Sequence, residues 1–359
     1  MLETAIVGLG NVAEWHRRGI DRTTGARLTA VADVDESVAR DRGRQWNATP
    51  YADLDGLLAT EPVDWVHVCT PVATHAELAL QCLDAGADVL VEKPMTATRD
   101  GYRSVVERAD EAGLRATVVH NQVYYSPFVR ARRLIESGRF GRLHGVSVHW
   151  LENNDPRDPG RGDWVLDLPG GEFGEGIVHP IYMGLRSAGY PADEGAVDIT
   201  RVNTTGDDAV EYDGIAVSYR TEAEVTCTVQ HHSNVQGSRQ ISFFLDGGRV
   251  VADIPTQTVR VYPEGYGPNA TVENPMLNAA YWTLRNAAGA VQSTLSVRLR
   301  KALAALRGGE FTVHDTHTPV IRREAEAIRG TGDGPTPRAE ADWANRLYTL
   351  VNGRVSGGD

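Results

Sequence analysis

The chain has 359 residues, of which 41% are apolar and 23% charged, and its net charge is −12 at neutral pH. This length exceeds one ordinary hydrophobic core, so we expect two domains, and the negative charge argues against a nucleic-acid partner. No apolar run approaches the roughly 18 residues that a membrane span needs, and three widely spaced cysteines (Cys69, Cys82 and Cys227) are typical of reduced thiols in a cytoplasmic protein.

The first third of the chain alternates strand and helix patterns. Apolar, strand-like runs lie at Thr4–Val7, Leu28–Ala32, Trp65–Cys69, Asp88–Val91 and Arg115–Val119, and helical patterns between them include His75–Asp84 and Tyr102–Ala112. Nearly continuous apolar strands that alternate with helices are typical of a parallel sheet covered on both faces. We therefore predict an α/β domain over residues 1–122. We expect no signal peptide, because the strand pattern begins at once.

Beyond residue 122 the strands follow one another directly. After a short helical pattern at Val129–Glu136, strand-like runs lie at Val146–Trp150, Ile215–Tyr219, Ala223–Gln230, Ile241–Leu245 and Val250–Ile254. This order predicts an α+β domain with a large open mixed or antiparallel sheet over residues 123–359. Helical patterns return at Met276–Leu306, Val320–Arg329 and Ala339–Asn352. The helices within 320–352 either belong to this second domain or pack back on the first.

A glycine-rich turn, Gly8-x-Gly10-x-x-Ala13, lies directly after the first strand and directly before a helix. The first glycine permits a tight turn, the second lets the backbone approach a pyrophosphate, and the small third residue lets helix and strand pack closely. The pattern predicts a Rossmann dinucleotide-binding domain. The residues of the turn predicted to bind the cofactor are Gly8, Gly10, Asn11 and Val12.

Asp33 ends the second strand, where a carboxylate can accept hydrogen bonds from both ribose hydroxyls of a dinucleotide. Asp35 adds negative charge, and no cation follows until Arg40. A 2′-phosphate would be repelled here, so NAD is favoured over NADP. The alternative for Asp33 is a turn residue that caps the next helix.

Two further polar segments follow the third and fourth strands, Thr70-Pro71-x-x-x-His75 and Glu92-Lys93-Pro94. Open α/β sheets bind ligands at the carboxyl ends of their strands. We therefore predict that five of these residues belong to the cofactor cleft: Thr70, Pro71, His75, Glu92 and Lys93. For His75, capping of a helix and contact with the ribose are both open.

Lys93 is one of only two lysines among 36 Lys and Arg residues, the other being Lys301. A lysine can change its protonation state when buried, whereas an arginine stays protonated. The proline that follows constrains the chain and can hold a cis bond. A lysine retained at the edge of a cofactor cleft predicts a catalytic role.

The fourth motif is a dense run of glycines, Gly170–Gly176, that leads to His179. Glu175 precedes His179 by four residues, so the two share a face if a helix begins here. A carboxylate beside an imidazole raises its basicity and orients it, as general acid–base chemistry requires. The other histidines have no such context, although His231-His232 could line a pocket. No His, Cys or carboxylate cluster has the spacing of metal ligands, and we expect no metal site.

Taken together, these motifs resemble the Gfo/Idh/MocA oxidoreductase family, named after glucose-fructose oxidoreductase and inositol dehydrogenase. The resemblance rests on the glycine turn, the Thr-Pro turn followed by a histidine, the run Ala85–Pro94 that ends in Glu-Lys-Pro, Asn121, the Gly138-Arg139-Phe140-Gly141 turn and the segment that ends in His179. It departs from the family at Glu175, where the family has Asp, at Ile177, where it usually has Gly, and at Tyr182, where it often has Asp.

The resemblance implies hydride transfer between a nicotinamide and a secondary hydroxyl or carbonyl of a sugar, cyclitol or sugar derivative. It implies catalytic roles for Lys93, His179 and Glu175, and a place for Asn121 at the cofactor. The candidate substrate-binding residues are Lys93, Tyr124, Trp164, Glu175, His179 and His231; Tyr125, Arg157, Arg161 and His232 are further candidates for specificity.

Two other functions stay open: an NAD-recycling glycosidase or epimerase of the same fold, and a non-catalytic regulator that senses sugars or nucleotides. We expect a homodimer or homotetramer with a small polyhydroxy substrate.

Overall fold

The structure is a computed structural model that describes residues 1–263 (apart from 159, 161, 169 and 207–209), single positions between 283 and 302, and residues 315–353. The described strands are β1 Leu2–Val7, β2 Ala26–Ala32, β3 Thr49–Tyr51, β4 Trp65–Val68, β5 Asp88–Val91, β6 Ala116–Val118, β7 Leu143–Leu151, β8 Val197–Val202, β9 Gly214–Arg220, β10 Thr226–His232, β11 Ser238–Leu245, β12 Gly248–Asp253 and β13 Thr258–Pro263. The described helices are α1 Ala13–Asp21, α2 Glu36–Trp46, α3 Leu54–Thr60, α4 His75–Asp84, α5 Arg99–Ala112, α6 Ser126–Glu136, α7 Gly171–Gly176, α8 Val178–Ala188, α9 His317–Ile328 and α10 Arg338–Val351. The helical pattern predicted at Met276–Leu306 lies for the most part outside the described residues.

The chain forms two compact units, one made of Met1–Asn121 with Thr316–Asp359 and the other of Gln122–Asp315. We predicted residues 123–359 as the second domain and left open that the helices within 320–352 pack on the first. In the structure α9 and α10 are part of the first unit. None of the helices in the described part of the chain has the length and apolar character needed to cross a membrane.

The first unit is built on a parallel sheet with the strand order β3-β2-β1-β4-β5-β6. Its central strands are apolar and buried on both faces, as a sheet between two helical layers requires. The short edge strand β3 was not predicted, because three residues with a proline among them carry little strand signal. The parallel Rossmann-type sheet confirms the predicted fold class of this region.

Buried polar contacts tie α9 and α10 to the first unit. Glu324 on α9 accepts hydrogen bonds from Arg115 Nε at 2.9 Å and from Thr117 Oγ1 at 2.8 Å. His120 Nδ1 lies 2.7 Å from a carboxylate oxygen of Glu340 on α10. Both carboxylates are fully buried. Since an unpaired buried charge is costly, these pairs specify where the two helices dock.

The second unit is built on a mixed sheet with the strand order β13-β12-β11-β7-β10-β9-β8. The pair β7 and β10 is parallel, and the other described pairs are antiparallel. Along β10 exposed and buried residues alternate, which shows that one face of the sheet is covered. Helix α8 packs on β7 and β10, and α6 packs on β12 and β13. The predicted mixed sheet is confirmed. The strand predicted to begin at Ala223 begins at Thr226, since Glu224 turns the chain with a φ of 61°.

Candidate functional site

Four strands of the first unit end side by side. Val7 at the end of β1 pairs with Ala32 of β2 and with Val68 of β4, and Val68 pairs in turn with Val91 of β5. The residues that follow these positions therefore emerge along one edge of the sheet. They include Gly8, Asp33, Thr70 and Glu92-Lys93, so the structure brings together the four segments that the sequence predicted for a cofactor cleft.

The glycine turn has the shape that a dinucleotide pyrophosphate needs. Gly8 has a φ of 82°, and a Cβ there would lie 2.7 Å from Thr70 Cγ2 and 2.8 Å from the Cys69 carbonyl, so no larger residue fits. Gly10 is exposed, and a Cβ there would meet no atom within 4 Å. Asn11 and Val12 then lead into α1, whose N-terminus favours an anion. The turn therefore fits the dinucleotide that the sequence predicts.

Asp33 is half-buried and binds the same turn. Its carboxylate accepts hydrogen bonds from the backbone N–H of Leu9 at 2.8 Å and of Asp35 at 2.9 Å. The helix cap that we considered for Asp33 belongs to Asp35, which accepts from the N–H groups of Ser37 and Val38. Each Asp33 oxygen has one backbone donor and can accept another hydrogen bond, so the carboxylate remains suited to ribose hydroxyls.

His75 joins two of the strand-end loops. Its Nδ1 lies 2.8 Å from the Pro94 carbonyl oxygen and its Nε2 lies 2.7 Å from the Thr70 carbonyl oxygen. Both partners are acceptors, so a neutral ring can donate to only one of them and an imidazolium to both. Burial lowers the pKa of His75, against the opposing effect of these two carbonyl groups. His75 therefore joins the loops that hold Thr70 and Pro94, and its contact with the cofactor stays a prediction.

The Glu92-Lys93-Pro94 turn contains a cis bond between Lys93 and Pro94. Lys93 is half-buried, whereas Glu92 points inward and is 5% exposed. His16 Nε2 lies 2.9 Å and His317 Nε2 3.3 Å from the same oxygen, Glu92 Oε1. Burial would raise the pKa of Glu92, but the hydrogen bonds from both rings outweigh it and hold the pKa well below its usual value. Glu92 is therefore a buried carboxylate anion.

The hydrogen bonds continue on both sides of Glu92. His16 Nδ1 lies 2.8 Å from His67 Nδ1, and Asn121 Nδ2 lies 3.1 Å from Thr316 Oγ1 and 3.4 Å from His317 Nδ1. Burial lowers the pKa of His16 and holds that of His67 well below its usual value. Both rings are therefore neutral near pH 7. Asn121, predicted at the cofactor, holds the first residues of α9.

The atoms of His16, Glu92 and His317 that could bind a metal lie within 4.8 Å of one another. Hydrogen bonding accounts for the arrangement, because each histidine directs a ring N–H at the same carboxylate oxygen. The predicted absence of a metal site stays a prediction. Sequence spacing missed this cluster because its members come from α1, the end of β5 and the start of α9.

The second unit carries the other predicted catalytic residues, on two short helices. Gly170 and Gly171 occupy positions where a Cβ would collide, at Gly170 with Gly174 and the Tyr212 ring, and at Gly171 with the Pro156 carbonyl. This close packing explains part of the glycine density. Pro180 has no N–H to donate to the carbonyl of Gly176, which accounts for the break between α7 and α8 at Ile177.

Glu175 on α7 and His179 on α8 are both buried. Ile177 between them keeps helical dihedral angles, φ −61° and ψ −24°, so a four-residue spacing leaves both side chains on one side of the chain. His179 Nδ1 lies 2.7 Å from Tyr182 Oη, and this phenol oxygen accepts the N–H of Gln122 at 3.2 Å. Tyr182, one of the departures from the family pattern, thus holds Nδ1 of His179.

The remaining substrate candidates differ in their surroundings. His231 is fully buried, its ring lies 4.3 Å from that of Phe173, and its Nε2 lies 3.6 Å from a carboxylate oxygen of Glu152. Burial would raise the pKa of Glu152, but His231 and Arg239 lower it to about 2. His231 thus lies beside the ion pair of Glu152 with Arg239.

Four further candidates lie elsewhere in the second unit. Tyr124, Tyr125 and Trp164 are half-buried, and Arg157 forms an ion pair with Asp155 at 2.6 Å. Arg161 lies outside the described residues.

Comparison with known proteins matches a separate family model to each of the two regions. Residues 2–120 match a protein-family model described as an oxidoreductase family with an NAD-binding Rossmann fold. Residues 128–264 match the model of the GFO/IDH/MocA C-terminal domain. The two matched regions follow each other in the order that the sequence predicted.

Curated relatives include the inositol 2-dehydrogenase of Rhizobium meliloti, 25% identical over 60% of this chain, and that of Rubrobacter xylanophilus, 32% identical over 46%. These alignments span 64% and 48% of the relatives' own lengths. Among solved structures, the WlbA dehydrogenase of Bordetella pertussis, in complex with NADH and UDP-GlcNAcA, superposes with a TM-score of 0.75. The superposition covers 98% of this chain and 94% of that one at 18% identity, so it shows a shared fold.

Proposed function

Because the chain belongs to the Gfo/Idh/MocA oxidoreductase family, we propose that it transfers hydride between NAD and a secondary hydroxyl or carbonyl group of a sugar, cyclitol or sugar derivative. The predicted family and the predicted cofactor, NAD, are confirmed by the NAD-binding Rossmann match over residues 2–120. The substrate class is supported by relatives named inositol 2-dehydrogenase and by a structural neighbour that holds a nucleotide sugar.

The observation that carries this proposal is the register of the first sheet. Val7, Val68 and Val91 lie side by side in β1, β4 and β5. The glycine turn and Lys93 consequently leave the same edge of the sheet. A dinucleotide held by Gly8, Gly10 and Asp33 would therefore bind next to the one lysine that the sequence singles out in this unit.

In the proposed reaction Gly8, Gly10 and Asp33 would hold NAD, which would supply the acceptor for the hydride of the substrate carbon. Lys93 donates a hydrogen bond to the substrate oxygen and stabilises the negative charge that develops on it. His179 removes the hydroxyl proton as general base, and Glu175 orients the substrate or the imidazole. In the reverse direction His179 returns the proton to the carbonyl oxygen.

The contact with Tyr182 determines which nitrogen of His179 can act as the base. Nδ1 is engaged by Tyr182 Oη at 2.7 Å. The proton of the substrate would then go to Nε2, in the tautomer whose Nδ1–H donates to the phenol oxygen.

A further part of the proposal is the assembly. The alternating burial along β9 and β10 leaves one face of the second sheet exposed within the described residues. Such a face supports a homodimer or homotetramer, and light scattering on the purified protein would measure the mass directly.

The activity is tested by following NADH absorbance with inositols, aldoses, uronic acids, amino sugars and nucleotide sugars, together with mass analysis of nucleotide that co-purifies. Turnover with one of these classes is the expected result. A co-purifying nucleotide without net NADH formation would instead indicate an enzyme that recycles its cofactor. The absence of both turnover and bound nucleotide would refute the proposal.

A further inference from the structure

Three buried side chains from distant parts of the chain meet behind the Glu92-Lys93-Pro94 turn. His16 comes from α1 and is fully buried, Glu92 follows β5, and His317 begins α9 and is 9% exposed. Both imidazoles approach Glu92 Oε1, at 2.9 and 3.3 Å. The second oxygen, Oε2, accepts the backbone N–H of Lys93 at 3.1 Å. The Glu92 side chain thus links two histidines to the main chain of Lys93.

The protons can be assigned consistently along this network. Glu92 is an anion and only accepts, so His16 and His317 each donate from Nε2. A neutral His16 then has a lone pair on Nδ1, which accepts the Nδ1–H of His67. His67 Nε2 in turn carries a lone pair, and among the described residues it has no hydrogen-bond partner. The Asn121 amide nitrogen lies 3.4 Å from both ring nitrogens of His317.

We propose that His16 and His317 are positioning residues for Lys93, which act by fixing the carboxylate of Glu92 and, through it, the turn that carries the lysine. The inference rests on the proposed function, in which Lys93 binds the substrate oxygen. A glutamate side chain has three rotatable bonds, and two ring donors on one oxygen leave the other oxygen in a fixed place. His75 holds the far side of the turn through the Pro94 carbonyl.

The geometry favours this role over one in stability alone. The buried pair His120–Glu340 belongs to the same unit and ties α10 to it. Glu92, in contrast, bonds the peptide N–H of the catalytic lysine itself. Displacement of a catalytic group by 1 Å can cost about a hundredfold in rate, so the position of this turn matters for turnover as well as for folding.

The chain offers a direct probe of Lys93, because it contains only two lysines. In a Lys301→Arg background, lysine labelled with ¹³C at the ε carbon gives a single side-chain resonance, which reports the surroundings of Lys93 without substrate or turnover. Glu92→Gln keeps the size of the side chain but presents an amide, and His317→Phe keeps a ring but removes the donor. His120→Gln is the matched control, since it breaks a buried histidine–carboxylate pair elsewhere in the unit.

We expect Glu92→Gln and His317→Phe to shift and broaden the Lys93 resonance and to lower kcat about tenfold or more, with less than a twofold change in KM for NAD. His120→Gln should lower the melting temperature and leave the resonance in place. An unchanged resonance in both test variants, with only a lower melting temperature, would overturn the inference. A wild-type protein that turns over no substrate would overturn the proposed function, and the resonance would still decide the positioning role.

Discussion

The two units, of which the first carries the proposed cofactor-side residues and the second the proposed substrate-side residues, hold their proposed catalytic groups in different ways. In the first unit Lys93 stands on a turn held by buried bonds from Glu92 and His75, and the carboxylate of Glu92 is itself held by two further histidines. In the second unit His179 lies just past a helix break and is oriented by the phenol of Tyr182. On the cofactor side Lys93 thus depends on a chain of buried contacts through Glu92, whereas on the substrate side Tyr182 contacts the imidazole of His179 directly.

The sharpest test of this comparison removes one proposed catalytic group from each unit. Lys93→Met and His179→Ala should each lower kcat by about 10²–10⁴-fold, as the loss of a group that stabilises charge or moves a proton does. Both variants should still bind NAD, because the glycine turn is intact, and calorimetry would measure this. Lys301→Arg is the control for the loss of a lysine. Rates near those of wild type in both variants would contradict the roles assigned to Lys93 and His179.

A second test concerns the rigidity of the cofactor side. Gly8→Ala should destabilise the protein by about 1–3 kcal/mol through its positive φ, and further through contact with Thr70 and the Cys69 carbonyl. It should also weaken NAD binding. Gly86→Ala is the matched control, since Gly86 has a similar φ of 86° but open space around a Cβ. Chemical denaturation and NAD titration of both variants measure the difference, and equal effects would show that the close approach at Gly8 has no importance.

On the substrate side, Tyr182→Phe should lower kcat about tenfold, the loss of roughly one hydrogen bond of 1–1.5 kcal/mol, without a change in NAD affinity. Tyr182→Asp replaces the phenol with a carboxylate and should move the acid limb of the pH–rate profile, because an anion stabilises the imidazolium more strongly. Steady-state kinetics from pH 5 to 9 would measure both. An identical pH–rate profile in wild type and both variants would show that Tyr182 has no role in the chemistry of His179.

The smallest expected effect is a pH dependence of stability that arises in the first unit. Burial lowers the pKa of His16 and, further, that of His67 from the usual 6.5. As the pH falls through about 6.5 the unfolded chain therefore takes up protons before the folded one does, so the free energy of unfolding is largest above this pH and decreases below it. Melting temperatures from pH 8 to 5 should show this decline, and His67→Phe should make it shallower. A melting temperature that rises toward pH 5 would contradict the assignment of neutral rings.

The sequence predicted what depends on local chain order. The glycine turn, Asp33 and Glu92-Lys93 each follow an apolar strand, and because parallel strands end at one edge, their meeting follows from the order of the elements. The network around Glu92 could not be predicted in this way, since His16 and His317 lie about 75 and 225 residues from it in the chain and carry no local pattern of their own. The helix break at Ile177 could have been predicted from the sequence, because Pro180, so close to the start of α8, removes a helical hydrogen-bond donor.

The return of α9 and α10 to the first unit has a consequence for synthesis. His317 and Glu324 reach the ribosome exit only after the whole second unit, about 10–40 s after Asn121 at ordinary elongation rates. Until then Glu92 has His16 but lacks His317, and Arg115 lacks Glu324. A nascent or prematurely ended chain would therefore have an incomplete first unit, in which Arg115 lacks its buried carboxylate and Glu92 lacks one of its two histidines.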